Sequence, residues 1–207
     1  MRKILAVPLT LAAALSIGAC AGIPDHNPVR MTIAASQSHR PAWVDDPPKP
    51  HDGHHYFVGS SSGVDDESLA RDEARASALA NVGDGIRDQV HHYLDSARTM
   101  DSAHAGDYTR DVETAIEDGT LSVSRAVVSG ASVDRYYWVL YTDKDPTSPT
   151  GHGPVMRDEY ALLSLSDADY LRTLKETIDG VQKQVDDPKA RHVLNFMKKH
   201  FLNDLNK

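Results

Sequence analysis

Tyr56-Phe57-Val58-Gly59-Ser60-Ser61-Ser62-Gly63, followed after a short gap by Ala70-Arg71-Asp72-Glu73-Ala74-Arg75-Ala76-Ser77-Ala78-Leu79-Ala80, is the stretch whose reading decides the fold. Tyr56, Phe57 and Val58 are β-formers, and they run into a Gly/Ser-rich segment, Gly59 to Gly63, that reads as a turn. Asp65 or Asp66 then stands where a helix N-cap would take up the first free backbone N–H groups. Beyond it Ala70, Ala74 and Ala78 recur at every fourth position. Leu69, Ala76, Leu79, Val82, Ile86, Val90 and Leu94 lie beside them, so one broad side of a helix is small or apolar. Arg71, Asp72, Arg75, Arg87 and Asp88 are left for water. A row of alanines lets a helix lie close against a sheet, and the strand just before it is the first one made. The stretch predicts a helix-on-sheet kernel.

The spacing Gly59-x-Ser61-x-Gly63 also fits the nucleophile elbow of serine hydrolases, a strained strand-to-helix turn that exposes a serine above a sheet. An elbow hands its serine almost directly to the helix, whereas Val64 and two aspartates intervene here. No series of strand-helix units follows that would carry an Asp and a His on a parallel sheet. Ser61 is therefore read as a turn residue, with a serine hydrolase as the alternative. His51, His54 and His55, together with His91 and His92, raise a metal or small-ligand module as a further alternative. Only His51 with His54 or His55 has ligand-like spacing, and no Cys assists, so they read as exposed loop histidines. There is no dinucleotide fingerprint, Walker loop or placeable pair of carboxylates. The chain is expected to be no enzyme, and to need neither cofactor nor metal.

At the start of the chain, Arg2 and Lys3 precede an apolar run from Ile4 to Ala19, interrupted by Pro8, which reads as a secretory signal. The run is too short for a membrane span of about 20 apolar residues. It ends Ile17-Gly18-Ala19-Cys20, and in these residues the chain resembles bacterial lipoproteins, whose lipobox sets small residues before a cysteine that is acylated and becomes the first residue after cleavage. Cys20 is the only cysteine, and an unpaired thiol in an oxidising compartment is better explained as an acylation site than as a catalytic or buried group. The resemblance implies an outer-membrane anchor with the domain facing the periplasm, because Ala21 stands where an aspartate would retain the protein in the inner membrane.

The balance of charges agrees. The 22 basic side chains, less Arg2 and Lys3, against 30 acidic ones leave net −10 with histidines neutral, which excludes nucleic acid and anionic lipid surfaces as general partners. Ala21 to about Arg40, with Pro24, Pro28 and no sustained period, reads as a flexible tether. Pro41-Ala42-Trp43-Val44 is apolar enough to dock on the domain as an extended lead-in.

Pro41-Ala42-Trp43-Val44, the prolyl spacer, Tyr56-Phe57-Val58-Gly59-Ser60-Ser61 and the run Ala70 to Ala80 together resemble the LPP-twenty-type lipoprotein family and related flagellar accessory lipoproteins of the outer membrane. The likeness extends from Pro41 to about Ala80. It implies a compact strand, helix, strand, strand fold with no catalytic residues.

Further along, Asp95 to Gly106 has no period and ends the long helix. Tyr108, Val112, Ala115 and Ile116 place a second amphipathic segment over about Asp107–Glu117. Thr120 to Val128 fits a strand or a continued helix, and the family plan favours helix. Ser129–Thr142 reads as a strand, Asp143–Pro154 as a loop, and Asp158–Leu165 as a second strand pairing antiparallel with the first. Tyr136, Trp138 and Tyr160 are candidates for an aromatic partner-binding patch. Ser166-Asp167-Ala168-Asp169 caps a helix with Leu171, Leu174, Ile178, Val181 and Val185 in line. A second helix from Pro188 carries Ala190, Val193, Leu194, Met197, Phe201 and Leu205. These C-terminal helices pack on each other or on the sheet, or else serve a homo-oligomer or an envelope protein partner.

The fold expected is thus α+β: a small antiparallel sheet covered by a long alanine-rich helix, plus a C-terminal helical hairpin. Its divisions are a signal over residues 1–19, a lipidated Cys20 and tether over 20–40, an α+β domain over 41–165 and C-terminal helices over 166–207. The function expected is a non-enzymatic, lipid-anchored structural or assembly accessory of the cell envelope.

Overall fold

The computed structural model describes residues 29–100, 131–186 and 188–202. The signal segment, Cys20, and the segments expected over Asp107–Glu117 and Thr120–Val128 lie outside the described residues. The fold is α+β: one four-stranded antiparallel sheet in the order β1 (Arg30–Ala35), β3 (Ser132–Lys144), β4 (His152–Ser166), β2 (His54–Val64), with a long helix on it and two shorter helices beyond.

Strand β2 (His54–Val64) does not stop at Val58. It runs on through Gly59 to Gly63, pairing antiparallel with β4 (His152–Ser166) from His54↔Ser166 to Val64↔Arg157. The turn expected at Gly59–Gly63 is therefore strand, because the two glycines answer other demands. Gly63, at φ 72°, sits in the irregularity between Ser61 and Val64, and its N–H lies 3.1 Å from Oδ1 of Asp158. Gly59 lies beneath a helix. A Cβ there would come within 2.0 Å of Ala78 N and 2.3 Å of Ala74 O, so helix backbone rests directly on strand backbone. The strand enters through a tight turn in which Asp52 (φ 51°) and Gly53 (φ 74°) are both left-handed and His51 and His54 exchange backbone hydrogen bonds.

Helix α2 (Glu67–Met100) begins at Asp66, whose Oδ1 accepts the Leu69 N–H at 2.7 Å. Its buried positions are Ala70, Ala74, Ala78, Val82, Ile86, Val90 and Leu94, then Ala97. Each step of four residues advances about 40° round the helix, so the stripe winds and changes neighbour as it goes. Ala74 and Ala78 meet Ala161 and Leu163 of β4, while Val82, Ile86, Val90 and Leu94 join the core formed with the C-terminal helices. Small residues stand where the helix touches sheet, and branched ones where it touches helices. Leu69 and Ala76, assigned by periodicity to the apolar side, are exposed.

Strands β3 (Ser132–Lys144) and β4 form the hairpin expected, with Tyr137↔Tyr160 and Trp138↔Glu159 opposed. They are longer than expected, and the loop is only residues 145–151 rather than Asp143–Pro154. Pro154 is tolerated in β4 because β2 ends opposite Arg157, so beyond that point β4 pairs on one side only.

Helix α3 (Asp167–Gln184) is capped by Ser166, whose Oγ accepts the Asp169 N–H at 3.1 Å, and α4 (Pro188–Met197) follows and leads into a π-helical turn, Lys198–Leu202. Leu174, Ile178, Val181, Val185, Ala190, Val193, Leu194 and Met197 are buried with the second half of α2. These seam residues are thus occupied within the chain.

Two expectations for the N-terminal part are corrected. Arg30–Ala35, inside the presumed tether, is an edge strand, β1, paired with β3. Its pairing skips Ile33 between Thr32↔Tyr141 and Ala34↔Leu140, and this bulge breaks the alternation by which a strand is read. Trp43 and Val44 do dock, both buried against Tyr137 and Leu162, but within a single helical turn, α1 (Ala42–Asp45), rather than as extended chain.

Candidate functional site

Ser61 is buried on the α2 side of the sheet, and its hydroxyl donates to Oε2 of Glu73 at 2.6 Å. Its hydrogen-bond partner is thus a helix carboxylate, and its backbone is ladder rather than elbow. Next to it in the ladder is Glu159, fully buried, whose Oε2 lies 2.6 Å from Nε of the equally buried Arg157. Arg71 and Glu67 of α2 approach this pair at 3.6 and 3.3 Å. The Arg157 guanidinium stands 4.6 Å above the ring of Trp138. Oε1 of Glu159 and Nη2 of Arg157 have no hydrogen-bond partner. The whole group sits beneath the first turns of α2, where an ion pair replaces the alanine packing that follows it.

The aromatic trio does not form one patch. Tyr136 and Trp138 lie on the α2 side, beneath Arg71 and Arg157. Tyr160 lies on the opposite face with Tyr137, Trp43 and Val44, and there the Arg40 guanidinium covers its ring at 4.6 Å. Consecutive residues alternate faces and opposed ones share a face, so Tyr160 goes with its partner Tyr137 and not with Tyr136 or Trp138.

The histidine segment divides in two. His51 and His54 are exposed, each with Nδ1 on a nearby carbonyl, of Lys49 at 2.8 Å and of Asp52 at 2.9 Å, and His51 stacks on Tyr56 at 4.6 Å. They finish the Asp52-Gly53 turn. His55, one residue on, points the other way, towards the helices. Its ring stacks on Tyr170 of α3 at 3.8 Å and 14°, and its Nε2 lies 3.3 Å from Oδ1 of Asp167.

Around His55 opens a cleft of about 470 Å³, lined by Pro50, His55, Gln89, Tyr93, Asp167, Tyr170 and Leu171. Three elements build it: the start of β2, the middle of α2 and the first turn of α3. Burial pushes the His55 imidazole towards its neutral form, against the opposing pull of Asp167. Burial likewise pushes the Tyr170 phenol up to about 12, with smaller contributions from Tyr93 and Asp88. Its hydroxyl lies 3.5 Å from the carbonyl of Gly85. Among the described residues no three His, Cys, Asp or Glu side chains are placed to hold a metal ion. Of the candidate ligand or catalytic residues singled out in the sequence, His55 alone lines this cleft, beside Asp167 and Leu171 of the expected helix. Gln89, Tyr93 and Tyr170 come from helices and carried no signal in the sequence, and the one available cue was the short step from the histidine loop into a strand.

No family model, no characterised protein and no solved structure matches the chain. Among the described residues, no helix is long and apolar enough to cross a membrane.

Proposed function

We propose that the chain is a lipid-anchored bacterial envelope lipoprotein, acylated at Cys20, whose α+β domain acts as a non-catalytic binding or assembly accessory on the periplasmic side of the outer membrane. The observation that carries this reading is the sequence Arg2-Lys3, the apolar run and Ile17-Gly18-Ala19-Cys20, with Cys20 the single thiol of the chain. The resemblance to LPP-twenty-type lipoproteins over Pro41–Ala80 supports it. So does the place of Ser61, buried within the ladder of β2 and β4 rather than exposed on a strand-to-helix turn.

The fold sharpens the geometry of the anchor. Because β1 begins at Arg30, only Cys20 to Val29 separate the acyl site from the sheet. Those ten residues span at most about 35 Å fully extended and about 17 Å as a random coil. The domain would ride close to the lipid surface, within reach of membrane-bound partners. A partner gripped by α3 and α4 would meet their outer faces, since the seams are filled.

The test is Cys20→Ser. Serine cannot form the thioether, so the variant is expected to lose acylation in a fatty-acid labelling experiment and to yield no processed, membrane-bound form. A variant still processed, labelled and membrane-bound would remove the anchor from this reading.

A further inference from the structure

We propose that the cleft between β2, α2 and α3 is a binding site for an organic ammonium ligand, held by the Asp167 carboxylate and by the aromatic rings of Tyr170, Tyr93 and His55. The proposal stands on the cleft itself and is independent of the lipid anchor.

Three features converge on a cation. First, the cleft is negative: Asp167 keeps its side chain 56% exposed at the mouth, and no Lys or Arg belongs to the lining. Its basic neighbour there is His55, whose Nε2 lies 3.3 Å from Oδ1 of Asp167 and which burial drives towards its neutral form. Asp88, beside Gln89 on α2, adds to the field felt at the Tyr170 phenol.

Second, the walls are aromatic. His55 and Tyr170 form one stacked slab, and Tyr93 stands close enough to Tyr170 to influence its hydroxyl. Ring faces attract a desolvated ammonium, and an alkylated one loses less hydration on entering than a metal ion does. Third, Gln89 offers an amide for a hydroxyl or N–H carried on the same ligand, while Pro50 and Leu171 supply apolar contact for its carbon atoms.

Other occupants fit less well. An anion would meet Asp167 and Asp88. A transition metal lacks a ligand set among the described residues. A neutral sugar or aromatic would use the rings and leave the carboxylate without a part, and the experiment distinguishes this case.

The probe is choline, titrated calorimetrically into the full chain in detergent at neutral pH, against its uncharged isostere in which a carbon replaces the nitrogen. Saturable binding of choline with a single site is expected, and at least about ten-fold weaker binding of the isostere. Asp167→Asn should lower choline affinity about ten-fold and leave the isostere unchanged. Tyr93→Leu, which keeps apolar bulk but removes the ring, should also weaken choline. Thermal unfolding of each variant verifies that the fold persists, and because Asp167 opens α3, the Tyr93→Leu result stands in if Asp167→Asn fails to fold. Equal binding of choline and isostere, no saturable binding, or unchanged choline affinity in a folded variant would each overturn the proposal.

Discussion

Gly59 and Ala78 are in backbone contact: a methyl group on Gly59 would lie 2.0 Å from the Ala78 nitrogen and 2.6 Å from its Cα. Two side-chain bonds fasten the crossing, from the Ser60 N–H to Ser77 Oγ at 3.3 Å and from Asn81 Nδ2 to the Val58 carbonyl at 2.7 Å. Since the obstacle is backbone, nothing can swing aside. Gly59→Ala must lift α2 from the sheet, and a loss at or above the upper end of the usual 1 to 3 kcal/mol for overpacking is expected. Gly180, within α3, has open space where its Cβ would be. Gly180→Ala is expected to stabilise by about 0.5 to 1 kcal/mol. Thermal melts of the two variants should move in opposite directions, and a neutral Gly59→Ala would contradict the crossing.

The same interface predicts a contrast between adjacent residues. Ala74 is fully buried against Ala161 and Leu163, whereas Arg75 is exposed. Ala74→Leu adds bulk at a contact with no room and should cost about 1 to 3 kcal/mol. Arg75→Leu should stay within about 0.5 kcal/mol. Both replacements are good helix formers, so a difference in unfolding midpoint reports packing. Equal midpoints would mean that the alanine stripe does not bear on the sheet.

Much of this arrangement was legible from periodicity. The alanine row announced both a helix and its close approach, and the Ser166 cap and the seams of α3 and α4 could be read from spacing. What escaped reading shares a physical cause: backbone geometry that side-chain pattern does not encode. Gly59 looked like a turn residue because a glycine needed for close approach and one needed for a positive φ are the same letter. β1 escaped because its bulge at Ile33 breaks alternation. Asp52-Gly53 is a hairpin signal, but the turn it makes closes only the isolated bridge His51↔His54, with no strand before it to be read. The cleft was not legible at all, since its walls come from three elements: β2 and α3 meet where His54 pairs with Ser166, and α2 reaches them by the winding of its stripe.

His55 gives the fold a pH dependence of definite sign. Burial lowers its folded pKa below the ordinary value of about 6.5, so between those values the unfolded chain binds more protons than the folded one. Its contribution is fully present above about pH 6.5 and is lost as pH falls through the folded pKa. His55→Phe keeps a ring on Tyr170 and removes the titration. The stability difference between parent and variant, measured by denaturant unfolding, should therefore change steadily from pH 7 towards pH 5, with the parent losing more. Parallel curves would show that His55 titrates alike in both states.

The buried ion pair makes the most demanding prediction. Glu159 is wholly enclosed and Arg157 nearly so, joined through Nε and Oε2 at 2.6 Å, yet each retains one polar atom without a hydrogen bond. Removing both charges from water costs several kcal/mol per ion, and that cost is recovered only while the two face each other. Glu159→Leu would leave the Arg157 guanidinium with Glu67, at 3.3 Å across a half-exposed side chain, and with the face of Trp138. A loss of about 3 to 5 kcal/mol is expected, a fall in melting temperature of roughly 10 °C for a domain of this size. Replacing both partners, Arg157→Met with Glu159→Leu, removes both desolvation costs and fills much of the same space, so the double variant should regain most or all of that loss. Additive losses in the two single variants and the double would show that the charges do not depend on each other. The pair would then be wetter than its enclosure beneath α2 allows.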